Sequence, residues 1–509
     1  MGESTSHIDE ICCGLKKAEV SDKKQVLRMT GSELGCHGAD RLYPGPTIDA
    51  LPDNVLLETF EFYLSKDDVD KFDYDHNYDG WQTLVHVCRR WRCIVFASPR
   101  RLDLKLLCTP QRSANSKALD IWSTLPIVIF ARDVQSKEGV TNVIAALRHH
   151  NRVCKIFYYN EQVQDFLLNE LTAIDEPFLE LTNLELISFG QDVPVLPDSF
   201  LGGCAPCLRS FSLEGIPYPS IGKLLSSTTN LVKLSLCRVP HSGYISPETI
   251  VPCLSTLARL ESFELSFQHL QSEVHRPSRR PPPLTRVVFP NLTSLYFKSD
   301  VEYLEDILSQ IETPMLNESE FYLFNQPVFD APLLGNFICR METFMTIHTA
   351  RVQFDSWSVE VTLWGREVMA NNKKKALRLE IACKLLDWQL SALAQVLNSF
   401  LSFLPTLESL EIAIDHEDWQ DEIEVIQWRE FLHLFTSVKE MTVQPVGSIP
   451  LIAPTLQELA GEGETEVLPA LQNLFLRTYG RQLSGPVKEA IEKFIDTRQL
   501  DGHPVTVHY

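Results

Sequence analysis

Over most of the chain, apolar residues recur in one short pattern. An apolar residue is followed, after two others, by a second apolar residue, and after one more by a third. Leu231, Leu234 and Leu236 are an example. The last two positions of each triplet lie two residues apart, which is the spacing of one face of a β-strand. The pattern therefore predicts a series of short strands, each with one buried face.

These triplets return along the sequence at intervals of roughly 23 to 32 residues. They occur at Leu125/Val128/Phe130, Val153/Ile156/Tyr158, Leu184/Ile187/Phe189, Leu208/Phe211/Leu213, Leu231/Leu234/Leu236, Leu260/Phe263/Leu265, Leu292/Leu295/Phe297, Leu407/Leu410/Ile412, Val438/Met441/Val443 and Leu471/Leu474/Leu476. Between them lie segments with helical spacing, of which 384–401 is the clearest. Recurrence at this period is typical of stacked strand–helix units that bury a common core.

A strand, a turn and a helix repeated in this way resemble the leucine-rich-repeat family over most of residues 120–480. The resemblance implies an α/β solenoid. The asparagine ladder of that family is mostly absent, and the units near 316–381 do not align with the others. A doubly wound α/β domain also alternates strands and helices, so it remains the alternative fold.

Two shorter amphipathic segments precede the repeats. LPDNVLLETFEFYL begins at Leu51, and Pro52 fits the first turn of a helix because its missing N–H costs nothing there. WQTLVHVCRRWRCIVF begins at Trp81. Its predicted apolar stripe is Leu84, Val87, Cys88, Trp91 and Val95. Two short helices this apolar cannot cover each other fully, which predicts a small module that docks on another protein.

Together the two segments resemble the F-box, whose motif opens with Leu-Pro and closes with Val-Cys-(Arg/Lys)-x-Trp. The matching positions are Leu51, Pro52, Val55, Leu56, Val87, Cys88, Arg89 and Trp91. Acidic residues 65–80 stand where that family usually has a short helix, and they resemble the insertions of fungal F-box proteins. The resemblance implies that a Skp-type adaptor binds Leu51, Pro52, Val55, Leu56, Val87, Cys88 and Trp91.

The predicted organisation has three parts. Residues 1–45 are polar without a sustained period, which indicates a disordered arm. Residues 46–110 form the F-box-like helical module, and residues 120–509 form the irregular leucine-rich-repeat-like solenoid. The predicted fold class is therefore α/β, with a small helical module followed by a solenoid.

Charge and cysteine usage narrow the class of partner and the compartment. The formal net charge is −21, so the surface repels phosphate backbones and anionic lipid, and we expect neither nucleic acid nor membrane as a partner. The 13 cysteines follow no framework spacing, and several, such as Cys88 and Cys383, lie on apolar stripes. Such thiols are typical of reducing compartments, which predicts an intracellular protein of the cytoplasm, the nucleus or both.

Motifs of metal binding and catalysis are incomplete or missing. The sequence from Asp75 to Gly80 matches the first half of a calcium-binding loop, but His86 stands where the loop needs a glutamate. Cys204 and Cys207 form a Cys-x-x-Cys without the second pair that zinc requires. No local motif of a nucleophile, a phosphate loop or a zinc protease is present. We therefore expect no metal, no cofactor, no catalytic residue and no enzymatic activity.

The two resemblances together imply the substrate-recruiting subunit of a Skp–cullin–F-box ubiquitin ligase. Its partners would be a Skp-type adaptor, the cullin ligase core and a protein substrate of unknown identity. Two alternatives remain open, namely an interaction scaffold that is not linked to ubiquitination and a hydrolase with a dispersed active site. An active site assembled from distant parts of the chain would leave no local motif.

Strand periodicity also predicts which residues of the solenoid face a substrate. Side chains that alternate with the buried ones point outward, and in a leucine-rich solenoid they line the binding surface. The predicted substrate-binding residues are Lys233, Glu264, Tyr296, Lys298 and Glu411. Tyr296 and Lys298 stand out because a rigid aromatic and a cation occupy adjacent outward positions of one strand.

Overall fold

A computed structural model describes most of the chain. The described residues are 48–65, 80–111, 119, 122–132, 134, 136–161, 166–190, 192–269, 286–341, 347–365, 377–383, 385–401, 404–414, 425–444, 449–459, 467–478, 483 and 485–509. The predicted arm at 1–45, most of the acidic segment 65–80 and positions 75–79 of the calcium-like loop lie outside them. The chain divides into two compact units, residues 1–130 with 137–148 and residues 131–136 with 149–509. The domain boundaries inferred from the sequence remain predictions.

The first unit begins with helices. They are α1 (Asp53–Ser65), α2 (Gly80–Val87) and α3 (Arg89–Ala97), and they are followed by strands β1 (Leu106–Cys108) and β2 (Ile127–Arg132) and by helix α4 (Lys137–Leu147). Strand β1 pairs in parallel with β2. Leu56, Phe60 and Val95 form the centre of the helical core. The indole N–H of Trp81 donates to the carbonyl of Lys105 at 2.9 Å, which ties α2 to the segment that enters β1.

The second half of the F-box-like motif is two helices rather than the single stripe predicted. Cys88 has extended backbone (φ −156°, ψ 170°) and caps α3, since its Sγ accepts a hydrogen bond from the backbone N–H of Trp91 at 3.5 Å. This break turns α3 relative to α2. Leu84 and Val95 are therefore buried, whereas Val87, predicted on the same stripe, is 56% exposed.

The second unit is built from strands joined mostly by helices. Its strands are β3 (Val153–Asn160), β4 (Asn183–Ser188), β5 (Ser210–Glu214), β6 (Lys233–Val239), β7 (Ser262–Phe267), β8 (Val287–Val288), β9 (Ser294–Ser299), β10 (Ile311–Glu312), β11 (Glu318–Leu323), β12 (Ile347–Phe354), β13 (Ser358–Gly365), β14 (Leu377–Ala382), β15 (Ser409–Ile414), β16 (Glu440–Gln444), β17 (Asn473–Leu476) and β18 (Thr506–His508). Its helices are α5 (Phe166–Thr172), α6 (Gly222–Leu225), α7 (Pro247–Ser255), α8 (Val301–Gln310), α9 (Pro332–Cys339), α10 (Leu386–Asn398), α11 (Val425–Leu432), α12 (Ile449–Leu459) and α13 (Gly485–Leu500).

These strands form one long sheet in the order β3-β4-β5-β6-β7-β9-β11-β14-β13-β12-β15-β16-β17-β18, and β8 and β10 form a separate parallel pair. Neighbours are parallel except around β13, which runs antiparallel to β12 and to β14. Apart from that hairpin, each new strand joins the same edge. A doubly wound sheet would reverse the direction of addition. The α/β, leucine-rich-repeat-like solenoid predicted from the sequence is therefore confirmed.

The sheet has one covered face and one open face. Leu234 lies beside Phe211 and Phe263 on the neighbouring strands, and all three are buried. Right-handed connections between parallel strands place the intervening helices over this side. The alternate residues, such as Lys233 and Glu264, lie on the other side, which is called the open face below.

Backbone hydrogen bonds before each strand hold the repeats in register. The N–H of Val232 donates to the carbonyl of Arg209, and the N–H of Glu261 donates to the carbonyl of Val232, both at 2.8 Å. Two asparagines add side-chain links between neighbouring repeats. Asn230 donates to the carbonyl of Pro206 at 3.1 Å, and Asn291 donates to that of Ala258 at 2.7 Å.

Most predicted triplets are buried as expected, but two are not. In the triplet Leu125/Val128/Phe130 the last position is only half-buried, and a second triplet is displaced. The triplets within 208–213, 231–236, 260–265, 292–297, 407–412, 438–443 and 471–476 are buried at all three positions. The triplet Leu184/Ile187/Phe189 is wrong, because the buried positions of that repeat are Leu181, Leu184 and Leu186. Ile187 and Phe189 are instead apolar residues at the open face.

Candidate protein-binding surfaces

The helical module exposes apolar residues at the start of α1 and at the end of α2. Leu51 is 37% exposed, Val55 36% and Val87 56%, and Pro52 is exposed as well. Arg90 draws these regions together, since its Nε donates to Oδ1 of Asp53 at 2.9 Å and its Nη2 donates to the carbonyl of Leu51 at 2.5 Å. Leu51, Pro52, Val55 and Val87 are called the module surface below.

The other predicted adaptor-binding residues lie deeper. Leu56 is fully buried in the core of the module. Cys88 and Trp91 are half-buried, and the ring of Trp91 packs against that of Phe60 with centroids 4.7 Å apart. Binding of an adaptor by these three residues stays a prediction, and the structure places them where they support the module surface from within.

Sequence reasoning missed three exposed apolar residues of the same module. Ile48 is 51% exposed, and Phe62 and Tyr63 on α1 are 63% and 47% exposed. The signal was present in the sequence, because Phe62 and Tyr63 fall off the helical stripe that contains Leu56 and Phe60.

On the open face, two predicted substrate-binding residues are neighbours. Glu264 on β7 lies between Ser235 on β6 and Tyr296 on β9. The hydroxyl of Ser235 donates to Oε2 of Glu264 at 2.7 Å. Tyr296 lies beside Glu320 on the next strand, β11. This row therefore alternates carboxylates with an aromatic ring.

Lys298 occupies the adjacent row. It lies beside Tyr322 on β11, and its Nζ is 4.3 Å from the centre of the Tyr322 ring and 5.6 Å from that of Phe324. The remaining two predicted residues are further apart. Lys233 is exposed on β6, and Glu411 lies on β15 with Arg351 at 3.8 Å. Substrate contact by all five residues stays a prediction.

A cluster around Arg378 on β14 is the densest polar arrangement that sequence analysis missed. The Arg378 guanidinium donates to Glu320 at 3.3 Å, to Glu360 at 2.8 Å and to Glu380 at 3.1 Å. Ser358 donates to Oε1 of Glu380 at 3.1 Å. The alternation along LRLEIA places Arg378 and Glu380 on one face of a strand, but this segment did not align with the repeats, so the neighbours of that strand could not be predicted.

Burial shifts the pKa of several groups on the open face. It raises the pKa of the Glu185, Glu214 and Glu380 carboxyls, and neighbouring carboxylates add to each of these shifts. Burial raises the pKa of Tyr296 to about 12, with the charge of Glu264 as the next cause. Water is therefore partly excluded from this face, and its negative charges stand close enough to repel one another.

Metal-binding and membrane-spanning features are not found among the described residues. No helix there has the length and apolar character needed to cross a membrane. Within the same residues, no three His, Cys, Asp or Glu side chains are arranged to hold a metal ion. Cys204 and Cys207 are free thiols.

The order and orientation of the strands define the class of the second unit, an irregular leucine-rich-repeat-like solenoid. The chain is similar to the leucine-rich repeat-containing protein LegL7 from Legionella pneumophila. The two are 12% identical with a TM-score of 0.25, over 68% of this chain and 97% of that chain. No family model matches the sequence. No curated protein matches it either.

Proposed function

We propose that this protein is the substrate-recruiting subunit of a Skp–cullin–F-box ubiquitin ligase. The helical module binds the Skp-type adaptor, and the sheet holds the protein substrate. The observation that supports this most directly is the module surface, where Leu51, Val55 and Val87 are exposed around the two ends of the F-box-like motif.

The helical module is too small to bury all of its apolar side chains. A few short helices bury a core of Leu56, Phe60 and Val95 and still leave large apolar side chains in water. Contiguous exposed apolar residues on a soluble surface mark sites of association with other proteins. The ion pair between Arg90 and Asp53 holds the two halves of the motif together, so the surface is formed before a partner arrives.

The contribution of such a subunit to catalysis is proximity. It holds a substrate lysine near a ubiquitin-loaded enzyme, and it thereby turns an encounter in solution into one within a complex. On this proposal the chain itself forms no covalent bond, needs no cofactor and is not an enzyme.

The proposal is tested by the change Val87→Asp in the full chain. Burying a carboxylate in an apolar interface should cost about 2 kcal/mol or more, which weakens adaptor binding about thirtyfold. The measurement is surface plasmon resonance with a purified Skp-type adaptor. Val195→Asp is the matched control, since Val195 is 48% exposed in the second unit, and it should bind the adaptor like the wild type.

Circular dichroism should show the same melting temperature for both variants, because both side chains are exposed. Adaptor binding that is unaffected by Val87→Asp would remove the module surface from the proposal. A wild-type chain that binds no adaptor would leave an interaction scaffold in its place.

A further inference from the structure

The part of the open face that runs from β4 across to β13 carries an excess of negative charge. Among the described residues of the eight neighbouring strands β4, β5, β6, β7, β9, β11, β14 and β13, carboxylates on this face outnumber cations. The carboxylates include Glu185, Glu214, Glu264, Glu320, Glu360 and Glu380. The cations are Lys233, Arg238, Lys298 and Arg378. A surface of this kind attracts positively charged partners and repels negatively charged ones.

The cations of this face show how it holds positive charge. Lys298 places its ammonium over the ring of Tyr322 at 4.3 Å. Arg238 places its guanidinium over the ring of Phe189 at 4.7 Å, with Glu214 at 3.9 Å. Aromatic rings and carboxylates are the groups that bind guanidinium and ammonium in proteins. The face thus presents both, arranged across neighbouring strands.

The cations of the open face do not neutralise its carboxylates. Glu360 and Glu380 stand directly opposite each other on antiparallel strands, an arrangement in which like charges repel. One guanidinium, that of Arg378, serves both of them and Glu320 as well. Asp355 adds a further carboxylate, since the Ser358 hydroxyl lies 3.0 Å from its Oδ2 and 3.1 Å from Oε1 of Glu380 and shares its one hydrogen between them. An additional cation would therefore relieve repulsion that the folded chain leaves in place.

We propose that the open face between β4 and β13 binds an extended, arginine- and lysine-rich segment of a protein substrate. This rests on the proposed function, because it names the class of substrate that the sheet would hold. Neighbouring strands lie about 4.8 Å apart, so the face spans about 34 Å, which matches about ten extended residues. A segment that crosses the strands meets carboxylates from Glu185 at one end to Glu360 at the other.

The first test uses the full chain and a fluorescein-labelled ten-residue peptide of alternating arginine and serine. Fluorescence anisotropy at 150 mM salt should detect binding of this peptide but not of the glutamate–serine analogue. The double variant Glu360→Gln with Glu380→Gln should weaken binding about tenfold, because it removes two adjacent carboxylates at the β13 end of the face. Its matched control is Glu489→Gln with Glu492→Gln, two exposed glutamates on α13 that change the net charge equally. That control should bind like the wild type.

A second variant should change the affinity for the arginine peptide in the opposite direction. Lys298→Gln removes a resident cation and frees the ring of Tyr322, so the arginine peptide should bind about threefold more tightly. Lys493→Gln, an exposed lysine on α13, is its control and should leave affinity unchanged. A variant that had merely lost its fold could not gain affinity, so a gain separates the proposal from structural damage.

The outcomes distinguish the proposals from each other. If the open-face and α13 variants changed the affinity for the arginine peptide equally, the peptide would be attracted only by the overall charge of −21. That result would overturn the proposed binding site. So would tighter binding of the glutamate peptide, or no binding of the arginine peptide. Adaptor binding measured on the same protein is independent. If it persists while the peptide fails, only the substrate class is wrong, and if it fails while the peptide binds, the ligase role is wrong.

Discussion

At the scale of single residues, the open face keeps carboxylates in places where burial disfavours their charge. Glu214 on β5 is an example, since burial raises the pKa of its carboxyl above the ordinary 4.5 and the charge of Glu264 raises it further. Arg238 at 3.9 Å acts in the opposite direction without reversing the shift. A carboxyl with a raised pKa in the folded state stabilises the fold below pH 4.5, and this contribution is lost as the pH rises through the folded pKa.

Glu214→Gln should therefore increase the free energy of unfolding at pH 7, by less than about 1 kcal/mol because the side chain is partly solvated. At pH 4 the advantage should shrink, since Glu214 is then largely protonated in both states. Urea unfolding at the two pH values measures the difference. Glu489→Gln, which removes one negative charge at an exposed position of α13, is the control for the change in net charge. A larger gain at pH 4 than at pH 7 would contradict the argument.

At the scale of elements, neighbouring helices are linked by a side chain that acts as a cap. Glu305 on α8 is almost completely buried. Its Oε1 accepts hydrogen bonds from the backbone N–H groups of Leu333 at 2.6 Å and Leu334 at 3.2 Å, in the first turn of α9. The N-cap position of α9 is Ala331, which has no side-chain acceptor of its own, so the preceding helix supplies one.

Glu305→Ala should lower the free energy of unfolding by about 2 to 3 kcal/mol, because two backbone N–H groups in the first turn of α9 lose their acceptor. Glu305→Gln should lose less, since its amide oxygen can still accept. Chemical denaturation followed by tryptophan fluorescence measures both changes. Glu302→Ala, an exposed glutamate on the same helix, is the control and should cost less than about 1 kcal/mol. Equal losses for positions 302 and 305 would rule out the capping role.

The sequence predicted those strands whose buried positions are all occupied by apolar residues. Most strands of the second unit follow the triplet, because each buries two alternating side chains and one before them. The β11 repeat escaped because its buried triplet is Leu316, Ser319 and Phe321, with a serine at the middle position. The β12–β13 hairpin escaped for another reason. Antiparallel strands alternate in the same way as parallel ones, so periodicity cannot reveal direction.

The site was predictable to a similar extent. Alternation correctly placed Glu264, Tyr296 and Lys298 on the face opposite the buried residues. The Arg378 cluster could not be predicted, since it joins β11, β13 and β14, and their pairing depends on the hairpin. In the helical module, the predicted apolar stripe was wrong at Val87. Cys88 has extended backbone and ends one helix there, and the spacing of apolar residues does not indicate such a break.

At the scale of the whole second unit, β13 is the link between two stacks of parallel strands. In a repeat array each unit contacts only its neighbours, so stability passes from strand to strand. Val361 on β13 is buried between Leu379 on β14 and Val352 on β12. Damage at this strand should therefore separate the stacks instead of unfolding both.

Val361→Asp should raise amide hydrogen exchange in β12 and β15 and leave β4 to β6 protected as in the wild type. Hydrogen exchange read by mass spectrometry resolves these segments. The control is Val288→Asp, at a position that is 52% exposed on β8, which should leave both stacks unchanged. Uniform loss of protection from β3 to β18 would show a single cooperative unit instead.

The hairpin also has a consequence for the order in which the sheet can be completed during synthesis. In the long sheet, each strand from β4 to β11 joins a neighbour that is already made. The next neighbour of β11 is β14, which follows only after residues 324–376. At ribosomal speeds this delay lasts several seconds. During that time the edge of β11 offers unpaired N–H and C=O groups to any other nascent chain. This exposure to aggregation therefore falls about two-thirds of the way through translation, before the strand that closes the gap has left the ribosome.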